Sequence, residues 1–202
     1  MNTVQSATQG ALMTGTTTRP GRSHVATDVA LVATFAAFIA VCAQFALPSV
    51  NGVEFSLQPF AVLLCGAVLG ARRGFLAVVL YLALGAAGLP VFVQGASGAG
   101  QFVGATGGYL LTFPLVALAA GLAAQWFRGP RRPLAIVIGG AIGIVLNWLA
   151  GALSVSLVAN LPYSTAAKTL AVFLPADFVK LVIAAAVATA VHRAFPQLLG
   201  RR

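Results

Sequence analysis

An all-α integral membrane protein with six transmembrane helices and a glycine-rich outer loop is what the sequence predicts, on three observations. Hydrophobic residues make up 59% of the 202-residue chain and charged ones only 7%, against roughly 25% charged in soluble domains. The apolar residues gather into six runs parted by short polar, glycine- or proline-bearing segments. The basic residues, 12 Lys and Arg against 3 acids, stand at the ends of those runs and fall almost wholly on one side, the signature of cytosolic loops.

The elements follow in order. Residues 1–27 are rich in Ser, Thr, Gln and Gly and lack the apolar core of about 7–15 residues that a signal peptide carries. They read as a disordered cytosolic tail, with residues 28–202 as one six-helix membrane domain. The spans are expected at Asp28–Leu47, Phe55–Ala71, Gly74–Leu89, Thr106–Phe127, Leu134–Val158 and Leu174–Ala194. The second and third are short, about 25 Å at ~1.5 Å per residue against a core of ~30 Å. Fusing them into one helix would put Arg72 and Arg73 mid-bilayer at several kcal/mol, so a hairpin with both arginines at the cytosolic surface is predicted.

On this threading Arg19, Arg22, Arg72, Arg73, Arg128, Arg131, Arg132, Arg193, Arg201 and Arg202 share one side, and Lys168 alone takes the other. Both termini are then cytosolic. The outer loops become Pro48–Glu54, Pro90–Ala105 and Ala159–Phe173.

The positive charge does not indicate nucleic acid, because no basic stripe with interleaved aromatics occurs. Cys42 and Cys65 each lie inside an apolar run and read as buried free thiols. No cluster of His, Cys and acids suits a metal, and no Gly-x-x-x-x-Gly-Lys loop suits a nucleotide.

Polar residues within or beside the spans concentrate at the outer end: Ser56, Gln58, Gln94, Ser97, Gln101, Thr106, Tyr109, Asp177 and Lys180. A proton relay or channel needs polar groups at successive depths. Apart from Asn147, the inner halves are bare, so the pattern describes a cup open outward and closed below.

Its sharpest feature is Pro175-Ala-Asp-Phe-Val-Lys180. Proline at the first helical position places Asp177 third, beside unpaired backbone N–H groups and the positive end of the helix dipole. Lys180 lies one turn on, and its side chain leans back toward the acid. An acceptor beside a donor suits a ligand with amide-like groups. Non-helical backbone at membrane depth must be buried or line a cavity, so Pro90–Ala105 reads as a re-entrant lid, with Phe92 and Phe102 seeking apolar cover.

The stretches Ser56–Gly74, Gly88–Phe92, Gly104–Phe113 and Phe173–Lys180, in that order and on that topology, resemble the BioY family, the biotin-specific substrate-binding S components of energy-coupling factor importers. The resemblance runs from about Asp28 to Gly200. It implies a multi-pass protein of the bacterial inner membrane that captures biotin from outside, works with a transmembrane T component and ABC ATPase subunits that use ATP, and needs no cofactor of its own.

It also implies site residues. Asp177 and Lys180 would contact biotin's polar groups: Asp177 accepting a ureido N–H, Lys180 donating either to the ureido carbonyl or to the valerate carboxylate. Tyr109 and the Thr106-Gly107-Gly108 turn would shape the wall, with Gln58, Phe92, Gln94 and Gln101 around it. Family members often carry proline at the position of Ala105 and a basic residue at that of Ala96. The second departure leaves the carboxylate to Gln94, Gln101, glycine amides or Lys168.

The alanines of the first span, Ala33, Ala36, Ala37 and Ala40, carry small-xxx-small spacings and become candidates for the T-component contact, with internal packing as the alternative. Gly66 with Gly70, Gly104 with Gly108 and Gly139 with Gly143 read as helix packing. Trp148 reads as core or as a stacking surface at the pocket floor, and Asn147 as an interhelical hydrogen-bonding residue.

Two other classes fit less well. Gly95-Ala-Ser-Gly98 has the form of a rhomboid-type protease motif, but a serine nucleophile needs a base within reach, and His192 is a membrane thickness from Ser97. An autonomous small-solute transporter would share the topology and differ only in lacking partners.

Overall fold

The computed structural model describes residues 20–50, 53–127 and 129–199. Its helices are α1 (Pro20–Ala43), α2 (Gln58–Leu69), α3 (Ala71–Ala86), α4 (Gly107–Trp126), α5 (Arg132–Ala159), α6 (Tyr163–Leu170) and α7 (Leu174–Ala194). A two-stranded antiparallel hairpin, β1 (Ala46–Val50) and β2 (Val53–Ser56), joins α1 to α2. Four helical stretches are long and apolar enough to cross a membrane: Val25–Ala43, Gly107–Trp126, Gly129–Ala159 and Tyr163–Ala194.

Several expectations change here. The expected tail, residues 1–27, lies mainly outside the described residues, but from Pro20 the chain is already helical; proline is suited to a helix's first turn. The first span ends at Ala43 rather than Leu47, and the second starts at Gln58 rather than Phe55, because the hairpin takes the intervening backbone. The helix break falls at Gly70, whose φ of 82° suits glycine. Arg72 and Arg73 therefore sit in the first turn of α3 instead of before it. The loop expected at 159–173 contains α6.

At 12 residues, α2 is about 18 Å long and short of a bilayer. Its placement explains this. Ten of its residues are buried, packed against α4, α7, α3 and α1, so it is surrounded by protein. The core is built on small residues: a Cβ on Gly66 would run into the Ala117 backbone, one on Gly121 into Ala71, and one on Gly139 into Ala119 and Ala123. Close backbone approach of this kind is how helices associate where lipid removes the hydrophobic drive. Gly70 both makes the turn and lies against Gly121, whereas Gly104 has no tight neighbour.

Cys42 and Cys65 are buried free thiols. Asn147 Oδ1 accepts a 2.7 Å hydrogen bond from Thr112 Oγ1, tying α5 to α4.

Candidate functional site

A cavity of about 180 Å³ opens between the hairpin, the glycine-rich segment and the first turns of α2, α4 and α7. A water takes about 30 Å³ in the liquid, so the space is that of a small molecule. Asp177, Lys180, Tyr109, Thr106, Gln58, Phe92 and Gln101 all line it. The sequence scatters them over 123 positions.

Lys180 is the most heavily engaged. Although 8% exposed, its ammonium donates to Asp177 Oδ1 at 2.9 Å and to the Ser56 carbonyl at 2.8 Å, and lies 3.9 Å from the Phe55 ring centroid. Phe55 in turn stacks on Phe173 at 5.9 Å. A buried charge persists only when paired and hydrogen-bonded, and this one has an anion, a carbonyl and a π-face. Pro175 is the second residue of α7, not the first, so Asp177 falls one place later than expected. The helix start has no side-chain cap; the carboxylate is held by Lys180.

Tyr109 supplies a second polar point. Its ring occupies space that a side chain at Gly151 would fill, and its hydroxyl is buried without a hydrogen-bond partner among the described residues. Buried hydroxyls are normally satisfied, which sets this one apart on a residue that lines the cavity. Gln58 differs: its Nε2 donates to the Tyr81 hydroxyl and its Oε1 accepts from Ser56 Oγ. Its amide braces the wall.

The glycine-rich segment is pinned at three points. Gly98 N–H donates to the Gly85 carbonyl at 2.8 Å, Gln44 Nε2 to the Phe92 carbonyl at 3.1 Å, and Ser154 Oγ to the Ala105 carbonyl at 2.8 Å. Phe92 is 2% exposed, seated where Gly85 leaves room, edge-on to Tyr81 and Phe102. Gly95 and Gly98 have φ of 76° and 91° with open space where a Cβ would go. Backbone conformation, not crowding, is what requires glycine there.

Three expected residues are not in the wall. Gln94 is exposed and outside the cavity lining; its φ of 55° turns the chain away. Gly107 and Gly108 abut the backbones of Phe102 and Ala150, which makes them packing residues. Lys168 is exposed on α6 and Trp148 packs with Val155 and Leu170; neither lines the cavity. Of the alanines on α1, Ala36 is buried and Ala40 half-buried within the bundle, while Ala33 and Ala37 are exposed. Ser97 is exposed, on the loop, and His192 lies at the far end of α7.

Sequence reasoning missed Val53, Glu54, Phe55, Leu110, Phe113 and Phe173. The alternation Val53-Glu54-Phe55-Ser56 is a period-two signal of a strand, but at four residues it is the shortest that could mark one.

The family model described as the BioY family matches residues 11–197, and the chain belongs to that family. A protein named biotin transporter BioY from Rhodobacter capsulatus is 39% identical over 183 residues, covering 85% of this chain and 96% of its own. Another of that name from Thermotoga maritima is 41% identical over 158 residues, 76% of this chain and 89% of its own. Among solved structures, the S-component for biotin from an ECF-type ABC transporter superposes with a TM-score of 0.78 at 24% identity, over 85% of this chain and 94% of that one. That likeness establishes the fold. Family membership makes the chain a transport protein and not an enzyme.

Proposed function

We propose that the chain is a biotin-binding S component that captures its ligand from outside the cell in the cavity beneath the glycine-rich segment. The observation that carries this reading is the Asp177–Lys180 pair, an anion and a cation side by side in a wall that holds one further charged residue, Glu54, among aromatic, aliphatic and neutral polar groups. Relatives bearing the name biotin transporter give the ligand.

The chemistry matches at one end of the ligand. An ammonium has three protons; two are taken by Asp177 and Ser56, and the third is left for a ureido carbonyl. Asp177 uses Oδ1 on Lys180, so Oδ2 is the acceptor for a ureido N–H. The aromatic wall of Phe55, Phe92, Phe113, Tyr109 and Phe173 takes the thiophane ring and the aliphatic chain. With Gln94 and Lys168 outside the cavity and Ala96 in its wall, the valerate carboxylate falls to Gln101, Thr106 and solvent. Calorimetry with biotin and a panel of other vitamins tests the assignment: tight binding of biotin alone is expected, and tighter binding of any other vitamin overturns it.

Uptake is proposed to depend on a T component and ABC ATPases in the inner membrane, with Ala33 and Ala37 on the open face of α1 as contact points. A host stripped of energising subunits should lose uptake. Undiminished uptake there would instead favour an autonomous transporter.

A further inference from the structure

A second crevice, of about 410 Å³, lies at the opposite end of the molecule from the candidate biotin site, between the start of α5 and the end of α7. Arg132, Arg193, Thr189 and His192 line it, together with the Gly129-Pro130 turn. Topology alone explains arginines at this end, and Arg72, exposed at the start of α3, needs no more than that. The crevice needs more.

His192 is the reason. It is 5% exposed, and its Nε2 is 3.2 Å from the Val68 carbonyl. Its Nδ1 is buried with no hydrogen-bond partner among the described residues. With Nε2 donating to Val68, Nδ1 could donate to an anion only by gaining a proton as the anion arrives, since the imidazolium donates from both nitrogens. This chain offers no carboxylate side chain there to balance such a proton. It has three acids: Asp28 pairs with Arg73, and Glu54 and Asp177 line the other cavity.

The surrounding chemistry points the same way. Arg132 places Nε on the Phe127 carbonyl at 3.2 Å, one of the five donors of its fork. The crevice opens at the start of the 28-residue α5, where the helix dipole and the first-turn N–H groups favour an anion. Thr189 adds a hydroxyl on α7. Leu134 and Phe195, next to the lining segments, are 63% and 60% exposed, a surface on which acyl chains can lie.

We infer that this crevice binds a phosphate group, either of an acidic phospholipid headgroup or of free phosphate, between Arg132, Arg193 and His192. Basic pockets between helices at the cytoplasmic membrane surface hold such headgroups, and a phosphate's planar pairs of oxygens match the guanidinium fork.

The test uses the full-length chain. Retention of phosphatidylglycerol over phosphatidylcholine is read by native mass spectrometry, and inorganic phosphate alone is titrated in detergent by thermal shift. Each of Arg132→Gln and Arg193→Gln should weaken retention about fivefold, the factor expected for one basic residue at the membrane surface. Arg72→Gln, which removes the same charge outside the crevice, should change it less than twofold. His192→Phe should weaken it without touching the arginines, with biotin binding as the check on folding. Retention of phosphatidylglycerol assigns the lipid source; a response to phosphate alone, lost in the arginine variants, assigns the free anion. Equal loss in Arg72→Gln and the crevice variants, or no response to either probe, overturns the inference.

Discussion

Two ion pairs of nearly equal length stand at opposite ends of the bundle. Lys180 meets Asp177 at 2.9 Å near the start of α7, and Arg73 meets Asp28 at 2.8 Å, close to where the chain continues beyond the end of α7. Distance does not separate them; surroundings do. The side chains of the first are 10% and 13% exposed, those of the second 14% and 44%. The enclosed pair is wrapped by the Ser56 carbonyl and the Phe55 ring and borders a cavity. The open pair joins α1 to α3, with Arg73 also donating to the Leu198 carbonyl. Attraction at equal separation is worth far more where water is excluded, and so is the damage when one partner is lost.

The sharpest break of the comparison is to remove one member of each pair. Asp177→Asn and Lys180→Ala should each lower biotin affinity at least about a hundredfold, the cost of stranding a buried charge being several kcal/mol, while the protein still inserts and folds. Calorimetry checks this, and wild-type affinity in both variants would remove the site. Asp28→Asn should leave affinity unchanged. Next comes Tyr109→Phe: losing the unpaired hydroxyl should weaken binding about tenfold, and an unchanged Kd would mean that the hydroxyl meets no ligand.

Smaller still is Phe55→Ala, which strips the π-face from Lys180 but leaves its two hydrogen bonds. A loss of a few fold is expected from the cation–π contribution. The smallest effect belongs to the open pair. Asp28→Asn should cost no more than about 1 kcal/mol of stability, and the difference from wild type should shrink as salt is raised. Thermal denaturation at two ionic strengths reads it. A salt-insensitive loss of several kcal/mol would erase the distinction between the two ends.

The same two regions explain how far the sequence could be read. Asp177 and Lys180 were legible because ionisable residues inside an apolar run have few bland explanations, and their spacing puts them on one helical face. Helix α7 was placed at its observed bounds, Leu174–Ala194. Tyr109, Thr106 and Gln101 were legible as polar groups at one end. The hairpin was not, because four residues of alternation between two long apolar runs look like a loop, and the wall residues Glu54 and Phe55 went with it. Gly107 and Gly108 are expected to shape the wall, Gly108 also to pack with Gly104, and they abut the backbones of Phe102 and Ala150 instead; a glycine makes room equally for a ligand or a neighbouring backbone, and only coordinates say which. Along α1, Ala36 and Ala40 turned out to face the bundle while Ala33 and Ala37 do not, a division that equal side chains cannot announce.

What the sequence by itself determined is the solvent of each segment: lipid or protein for the runs of hydrocarbon, the water-facing ends for arginines and for the acid–lysine pair. That follows from transfer free energies, which are properties of single residues. Only the tertiary structure decided that the short α2 is enclosed by its neighbours. It alone brings Lys180 to a carbonyl 124 positions away, and it leaves Tyr109 and His192 each with a polar atom unpaired among the described residues, at opposite ends. Those are properties of pairs distant in the chain, and composition and periodicity carry no information about which pairs meet.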